Sequence, residues 1–130
     1  MGHWEQVLRI KPDYAEAHYN LGSVLLRAGK PRDAIGHFEQ ALRIKPDNAV
    51  THSDLAVALY RVGRVQDAIG HWEQALRIKP DYVDAHYNLG VTLEQAGRVD
   101  DAIRHYEQAL RIKPDYVEAQ KKLARLRAVQ

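Results

Sequence analysis

The sequence predicts an all-α fold, an α-solenoid of stacked helix-turn-helix units. Three observations predict it. Pro12, Pro46, Pro80 and Pro114 are each 34 residues apart, inside a returning phrase that reads Leu8-Arg9-Ile10-Lys11-Pro12-Asp13, then Leu42-Arg43-Ile44-Lys45-Pro46-Asp47, and twice more. Gly29, Gly63 and Gly97 keep the same step, as do Ala34, Ala68 and Ala102. Within a unit the apolar residues recur at gaps of three and four, which is a helical face and not a strand. A fixed period of this length marks a repeat architecture, in which a unit buries its apolar face only against its neighbours.

The unit Ala15–Asn48 justifies each element in order. Ala17, Leu21, Val24, Leu25 and Ala28 form the stripe of a first helix, helix A. Asp13 precedes it and Glu16 stands three residues later, the pattern of a capping box with Asp as the cap. Pro12 lies just outside, where a missing N–H does no harm. Gly29 ends the helix, because it takes the left-handed conformation that a C-terminal cap requires. Pro31 sits near the first turn of a second helix, helix B, where its fixed φ is favourable. Helix B runs to about Ile44 on the stripe Ala34, Ile35, Phe38, Ala41, Leu42 and Ile44. Glu39 and Arg43 stand i,i+4 in the favourable order, repeated as Glu5/Arg9, Glu73/Arg77 and Glu107/Arg111.

A 34-residue unit with these residues resembles the tetratricopeptide repeat, whose pattern is W-x2-L-G-x2-Y, then A-x3-F, then P. The first unit reads His18, Leu21, Gly22, Leu25, Ala34, Phe38 and Pro46. The second reads His52, Leu55, Ala56, Leu59, Ala68, Trp72 and Pro80, and the third His86, Leu89, Gly90, Leu93, Ala102, Tyr106 and Pro114. His replaces the first Trp, Leu replaces the Tyr, and Ala56 once replaces Gly. The resemblance covers the whole chain. It implies a right-handed superhelix of seven helices, with a half repeat (helix B) at 1–14, repeats at 15–48, 49–82 and 83–116, and a C-terminal capping helix at 117–130. The wording also resembles the repeats that precede the catalytic domain in O-linked N-acetylglucosamine transferases.

Composition narrows the function classes. The chain has 130 residues, 45% hydrophobic and 28% charged, which fits a folded protein rather than a disordered one. No apolar run approaches the roughly 18 residues that span a bilayer, and the start has neither a basic nor an apolar signal stretch. No membrane partner is therefore expected, and a cytoplasmic location is the reading. With no cysteine, disulfides, thiolate metal sites and Cys nucleophiles are excluded. Nineteen Lys and Arg against seventeen Asp and Glu leave a net charge of +2, interleaved block by block, so no nucleic-acid partner is expected.

In the family the A helices line a concave groove, at the second, fifth, sixth, ninth, twelfth and thirteenth positions of each unit. The resemblance therefore implies a peptide-binding groove of Glu16, Tyr19, Asn20, Ser23, Leu26 and Arg27 in the first unit. The second unit supplies Val50, Ser53, Asp54, Val57, Tyr60 and Arg61. The third supplies Asp84, Tyr87, Asn88, Val91, Glu94 and Gln95, and the last helix adds Glu118, Lys121, Lys122 and Arg125. These residues fall away from the buried stripe of helix A, and three tyrosines are more apolar surface than solvation requires. The alternatives stay open: capping for Glu16, Asp84 and Glu118, bridging between A helices for Asn20 and Asn88, and packing between units for the tyrosines. The family's basic clamp for C-terminal carboxylates is absent, because Tyr19, Ser23, Asp84 and Asn88 stand where it needs Lys, Asn, Lys and Arg.

Seven histidines form two ladders, His18, His52 and His86 in helix A and His3, His37, His71 and His105 in helix B. Successive rungs lie on the order of 10 Å apart, given helix spacings of 8–10 Å, and cannot share an ion with bonds of about 2 Å. Packing is their expected role, and no metal or other cofactor is expected. No nucleophile–base pair or phosphate loop points to catalysis.

The two half units are the last expectation. Trp4, Val7 and Leu8 lack their own A helix, and Ala119, Leu123 and Leu126 lack a B helix, so head-to-tail self-association through these edges is one reading. Taken together, the residues point to a non-enzymatic scaffold that binds a protein or peptide segment in the A-helix groove. Near-identity of the B helices equally suits an engineered or excised consensus-like array without a single native partner. A substrate-presenting arm of a larger enzyme, such as a glycosyltransferase, is a further alternative.

Overall fold

The computed structural model describes residues 14–129, in two compact units that meet between Ile78 and Lys79. Among the described residues there are seven α-helices and no strand. The first unit holds α1 (Ala15–Arg27), α2 (Pro31–Ile44), α3 (Ala49–Arg61) and α4 (Val65–Ile78). The second holds α5 (Val83–Gln95), α6 (Val99–Ile112) and α7 (Val117–Ala128). The half repeat expected over 1–14, with Trp4, Val7, Leu8 and Asp13, lies outside the described residues apart from Tyr14.

In the first unit α1 packs along α2, α3 along α4, and α2 against α3, with a lighter contact of α1 on α3. Ala17, Leu21 and Leu25 of α1 meet Ala34, Ile35, Phe38 and Ala41 of α2 in the core, all buried. In the second unit α5 packs along α6 and α6 against α7, around Leu89, Leu93, Tyr106 and Leu123. Ile44, expected on the buried stripe, is 38% exposed, because it closes α2 beyond the reach of its neighbours.

Each tight A-to-B turn is a Schellman motif. Gly29 takes φ 78° and donates to Leu26 O at 3.1 Å, while Lys30 donates to Leu25 O at 2.9 Å. Gly63 and Gly97 repeat the arrangement, which satisfies carbonyls that a helix end leaves open. Pro31 stands in the first turn of α2, as its fixed φ favours.

The helix starts differ from the expected capping boxes. Tyr14, Tyr82 and Tyr116 occupy the N-cap positions, without a side-chain cap bond. The reason is a β-turn just before the helix. Tyr82 N donates to Lys79 O, and Tyr116 N to Lys113 O, both at 3.1 Å. Pro80-Asp81 and Pro114-Asp115 thus fill the two middle positions of a turn, leaving each Asp one residue outside the cap. Asn48 does cap with its side chain, accepting from Thr51 N at 3.2 Å. The expected pairs Glu39/Arg43, Glu73/Arg77 and Glu107/Arg111 do not close. Their exposed chains gain too little from pairing to offset lost freedom, and Glu107 instead takes Arg127 of α7.

The two histidine ladders meet rung by rung. His18 faces His37, His52 faces His71, and His86 faces His105, with Nδ1 to Nδ1 distances of 3.3, 3.0 and 3.1 Å. Each pair ties an A helix to the B helix of its own hairpin.

Candidate functional site

The expected groove residues of the A helices are used differently in the two units. In the first unit several of them are spent on holding α1 to α3. The Tyr19 hydroxyl donates to Asp54 Oδ2 at 2.7 Å, and the ring leans on Phe38 with centres 5.8 Å apart. Burial pushes the Asp54 carboxyl above its ordinary range, against the hydrogen bond from Tyr19, which lowers it. Arg61 Nη1 donates to Leu26 O at 3.2 Å, so a cation of α3 sits at the negative end of α1. Tyr60 leans on Trp72, with ring centres 6.4 Å apart.

The remaining first-unit candidates divide by burial. Leu26 and Ser53 are buried, at 9% and 3% exposure, and so do not offer themselves to a ligand. Asn20, Ser23 and Val57 are half-buried, and Arg27 is exposed. Glu16 accepts from the Tyr14 hydroxyl at 3.1 Å. With Tyr19, Lys45 and Asn48 it lines a recess of about 160 Å³.

The second unit gathers five of its candidates around one concavity. Tyr87 of α5 and Glu118, Lys121, Lys122 and Arg125 of α7 line a space of about 290 Å³. Tyr87 stacks on Tyr116, with centres 5.0 Å apart and planes 25° apart, and also leans on Tyr106 at 5.9 Å. The buried Tyr106 hydroxyl donates to Glu94 Oε1 at 2.8 Å, and Glu94 Oε2 takes Arg125. Burial raises the Tyr87 phenol above its ordinary value, reinforced by Glu118 and Glu94. Tyr116 is pushed up to about 12 by burial and then by Asp84, Tyr87 and Glu118. Both phenols therefore stay protonated near neutrality and can donate.

Lys121 is exposed and Lys122 half-buried, and neither forms an ion pair with a described residue. On α5, Asn88 and Val91 are half-buried, and the Asn88 carbonyl accepts from Thr92 Oγ1 at 2.9 Å. Tyr116 is the residue that sequence reasoning missed. Its signal was the recurrence of Tyr14, Tyr82 and Tyr116 after three of the four Pro-Asp pairs, Asn48 following the other. On α7, Ala119, Leu123 and Leu126 are buried.

An aromatic residue with cations at the rim of one concavity suits non-covalent recognition of a chain segment. Among the described residues no group of three His, Asp or Glu side chains could hold a metal ion, and no helix is long and apolar enough to cross a membrane.

The same fold is found in solved structures. A crystal structure of MamA superposes with a TM-score of 0.92 at 28% identity, over 95% of this chain and 72% of MamA. The first tetratricopeptide repeat domain of Spaghetti (RPAP3), bound to the HSP90 peptide SRMEEVD, gives 0.85 at 22% identity, over 88% of this chain and 91% of that one. YrrB, described as a tetratricopeptide protein with an unusual peptide-binding site, gives 0.84 at 24% identity, over 92% and 61%. No curated protein sequence matches the chain. Tetratricopeptide-repeat profiles match residues 15–48 and 53–117, the second alone covering half of the sequence. The chain belongs to the tetratricopeptide repeat family.

Proposed function

We propose that the protein is an interaction scaffold whose second unit binds a peptide or partner segment between α5 and α7. The observation that carries this reading is the cluster of Tyr87, Lys121, Lys122 and Arg125 around one concavity. Tyr87 supplies contact area at low entropic cost. Lys121, Lys122 and Arg125 line the same space with Glu118 as its one carboxylate, so a segment with an acidic side chain opposite the lysines gains the most.

Two solved neighbours are peptide binders by their own description, which supports the general reading. The clamp residues of the family are replaced here by Tyr19, Ser23, Asp84 and Asn88, so the ligand is not held by that clamp. In the first unit Tyr19, Asp54, Tyr60 and Arg61 are engaged in contacts between helices.

An array of short peptides varied in acidic and aromatic content tests this reading, probed with the natural chain and with Tyr87→Ala and Lys121→Ala/Lys122→Ala. Acidic peptides should bind the natural chain and lose at least tenfold in affinity in both variants, with melting temperatures held within a few degrees. Binding that survives both variants, or no binding to any peptide, defeats it.

A further inference from the structure

The three histidine pairs are more than packing, because their geometry dictates how many protons they hold. In each pair the ring centres are farther apart than the Nδ1 atoms by nearly the full sum of the two ring radii, the greatest difference that geometry allows. For His52 and His71 the centres are 5.2 Å apart and the nitrogens 3.0 Å. For His86 and His105 the values are 5.3 and 3.1 Å, and for His18 and His37 5.5 and 3.3 Å. The nitrogens therefore lie on the line between the rings, pointing head-on, with the planes only 27–35° apart. That is the arrangement of a straight N–H···N bond.

A metal ion does not fit between them. Bonds of about 2.0–2.1 Å on a straight line require nitrogens about 4 Å apart. The lone pairs also meet head-on and do not converge on a tetrahedral centre. One hydrogen fills the space.

The hydrogen's place is determined by a third group. His52 Nε2 lies 2.8 Å from Pro46 O, and His86 Nε2 lies 2.8 Å from Pro80 O. A carbonyl oxygen only accepts, so both Nε2 atoms carry hydrogen. In a neutral ring the Nδ1 of His52 or His86 is then a bare acceptor, and the Nδ1 of His71 or His105 must donate. Within each of these two pairs the rings thus hold opposite tautomers.

We propose that these dyads are acid-operated latches, each joining an A helix to its B helix while it holds no more than one extra proton and parting when it takes a second. The first proton leaves one N–H···N bond standing, whichever ring carries the charge, and strengthens it through that charge. The second turns the acceptor nitrogen into a donor, so that two N–H groups and two positive rings face each other at about 3 Å.

The charges around each latch set the order of opening. His37 is lowered by burial and by His18 across the hairpin, and Asp33 on its own helix opposes this. His71 is lowered by burial, by His52 and by Arg64, with Asp67 opposing. His105 falls furthest, to about 4, through burial, then His86, Arg104 and Arg98. The equivalent carboxylate, Asp101, is engaged by both of those arginines. From α7 the cation reaching α6 is Arg127, which is paired with Glu107. The α5–α6 latch should therefore open at a lower pH than the two latches of the first unit. Such pairs titrate as coupled units in two steps.

Long-range ¹H–¹⁵N spectra of the histidines in the whole chain, followed from pH 7.5 to 3.5, test this directly. The expected result is opposite tautomers within His52/His71 and His86/His105 at neutral pH, and two-step titration of each pair. Contacts between α5 and α6 should be lost only with the second step, near pH 4. A second measurement uses His105→Gln, whose amide N–H can donate to His86 but cannot take a proton. It should keep the α5–α6 contacts through the pH range where the natural chain loses them. Single-step titration of all six rings near 6.5, identical tautomers within the pairs, or an unchanged acid transition in His105→Gln would overturn the proposal. Should His105→Gln fail to fold, the titration of the natural chain decides by itself.

Discussion

Tyr19 on α1 donates its phenolic hydrogen to Asp54 on α3 at 2.7 Å, across 35 residues of sequence. Both residues were candidates for holding a ligand, and in the first unit they hold each other. Their bond marks the difference between the two units, since Tyr87 stacks on Tyr116 beside an open concavity.

Replacing Tyr19 with Phe removes that bond and keeps the ring against Phe38. Because hydrogen bonds to charged groups contribute about 1.5–3 kcal/mol, and Asp54 is only partly buried, the lower end, about 1.5 kcal/mol, is expected from urea denaturation. The bond from Tyr19 also opposes the upward push of burial on Asp54. Its loss should therefore raise the carboxyl further, which a ¹³C titration of Asp54 would read. An unchanged Asp54 titration would contradict the geometry.

Gly22 and Gly90 are pressed by the aromatic residue of the facing helix. A Cβ at Gly22 would lie 2.8 Å from Phe38 Cδ1, and one at Gly90 2.7 Å from Tyr106 Cε1. Gly22→Ala and Gly90→Ala should each destabilise by about 1–3 kcal/mol, as overpacking does. The equivalent position in α3 already holds Ala56, fully buried, so Ala56→Gly is the matched control and should open a small void instead. Equal melting temperatures for Gly22→Ala and the natural chain would show that the ring moves aside freely.

Gly36 and Gly70 stand inside α2 and α4, exposed, with nothing within 4 Å of an added Cβ. Alanine at either should stabilise by about 0.5–1 kcal/mol through lower backbone entropy in the unfolded chain. At Gly29 the same substitution should cost about 1–2 kcal/mol, because an L side chain is strained at φ 78°. Thermal melts of Gly36→Ala and Gly29→Ala should move in opposite directions.

Stability should fall with acid in a defined window. In the unfolded chain the histidines protonate near 6.5, while in the folded chain His37, His71 and His105 resist, His105 down to about 4. Their folded values are depressed, so the unfolded state binds more protons as pH falls below 6.5. The melting temperature should be flat above pH 7, decline from 6.5 toward 4, and level off in this contribution below that. A profile flat across that window would show that the imidazoles titrate alike in both states.

The sequence by itself determined the all-α class, the positions of the turns and the core stripes, because these are local. Gly29, Gly63 and Gly97 dictate a helix end through their own φ, and Ala17, Leu21 and Leu25 declare one face by spacing alone. Helix starts were less legible: Pro80-Asp81 reads equally as a cap or as the middle of a turn, and the bond from Tyr82 N to Lys79 O selects the turn. Of the candidate site, the residue identities could be placed on helix A from the repeat, but their availability could not. Whether Tyr19 faces a ligand or Asp54, and whether His52 packs alone or meets His71, depends on how helices dock. That docking is the sum of many contacts between residues 19 or 35 apart, and only the tertiary structure decides it.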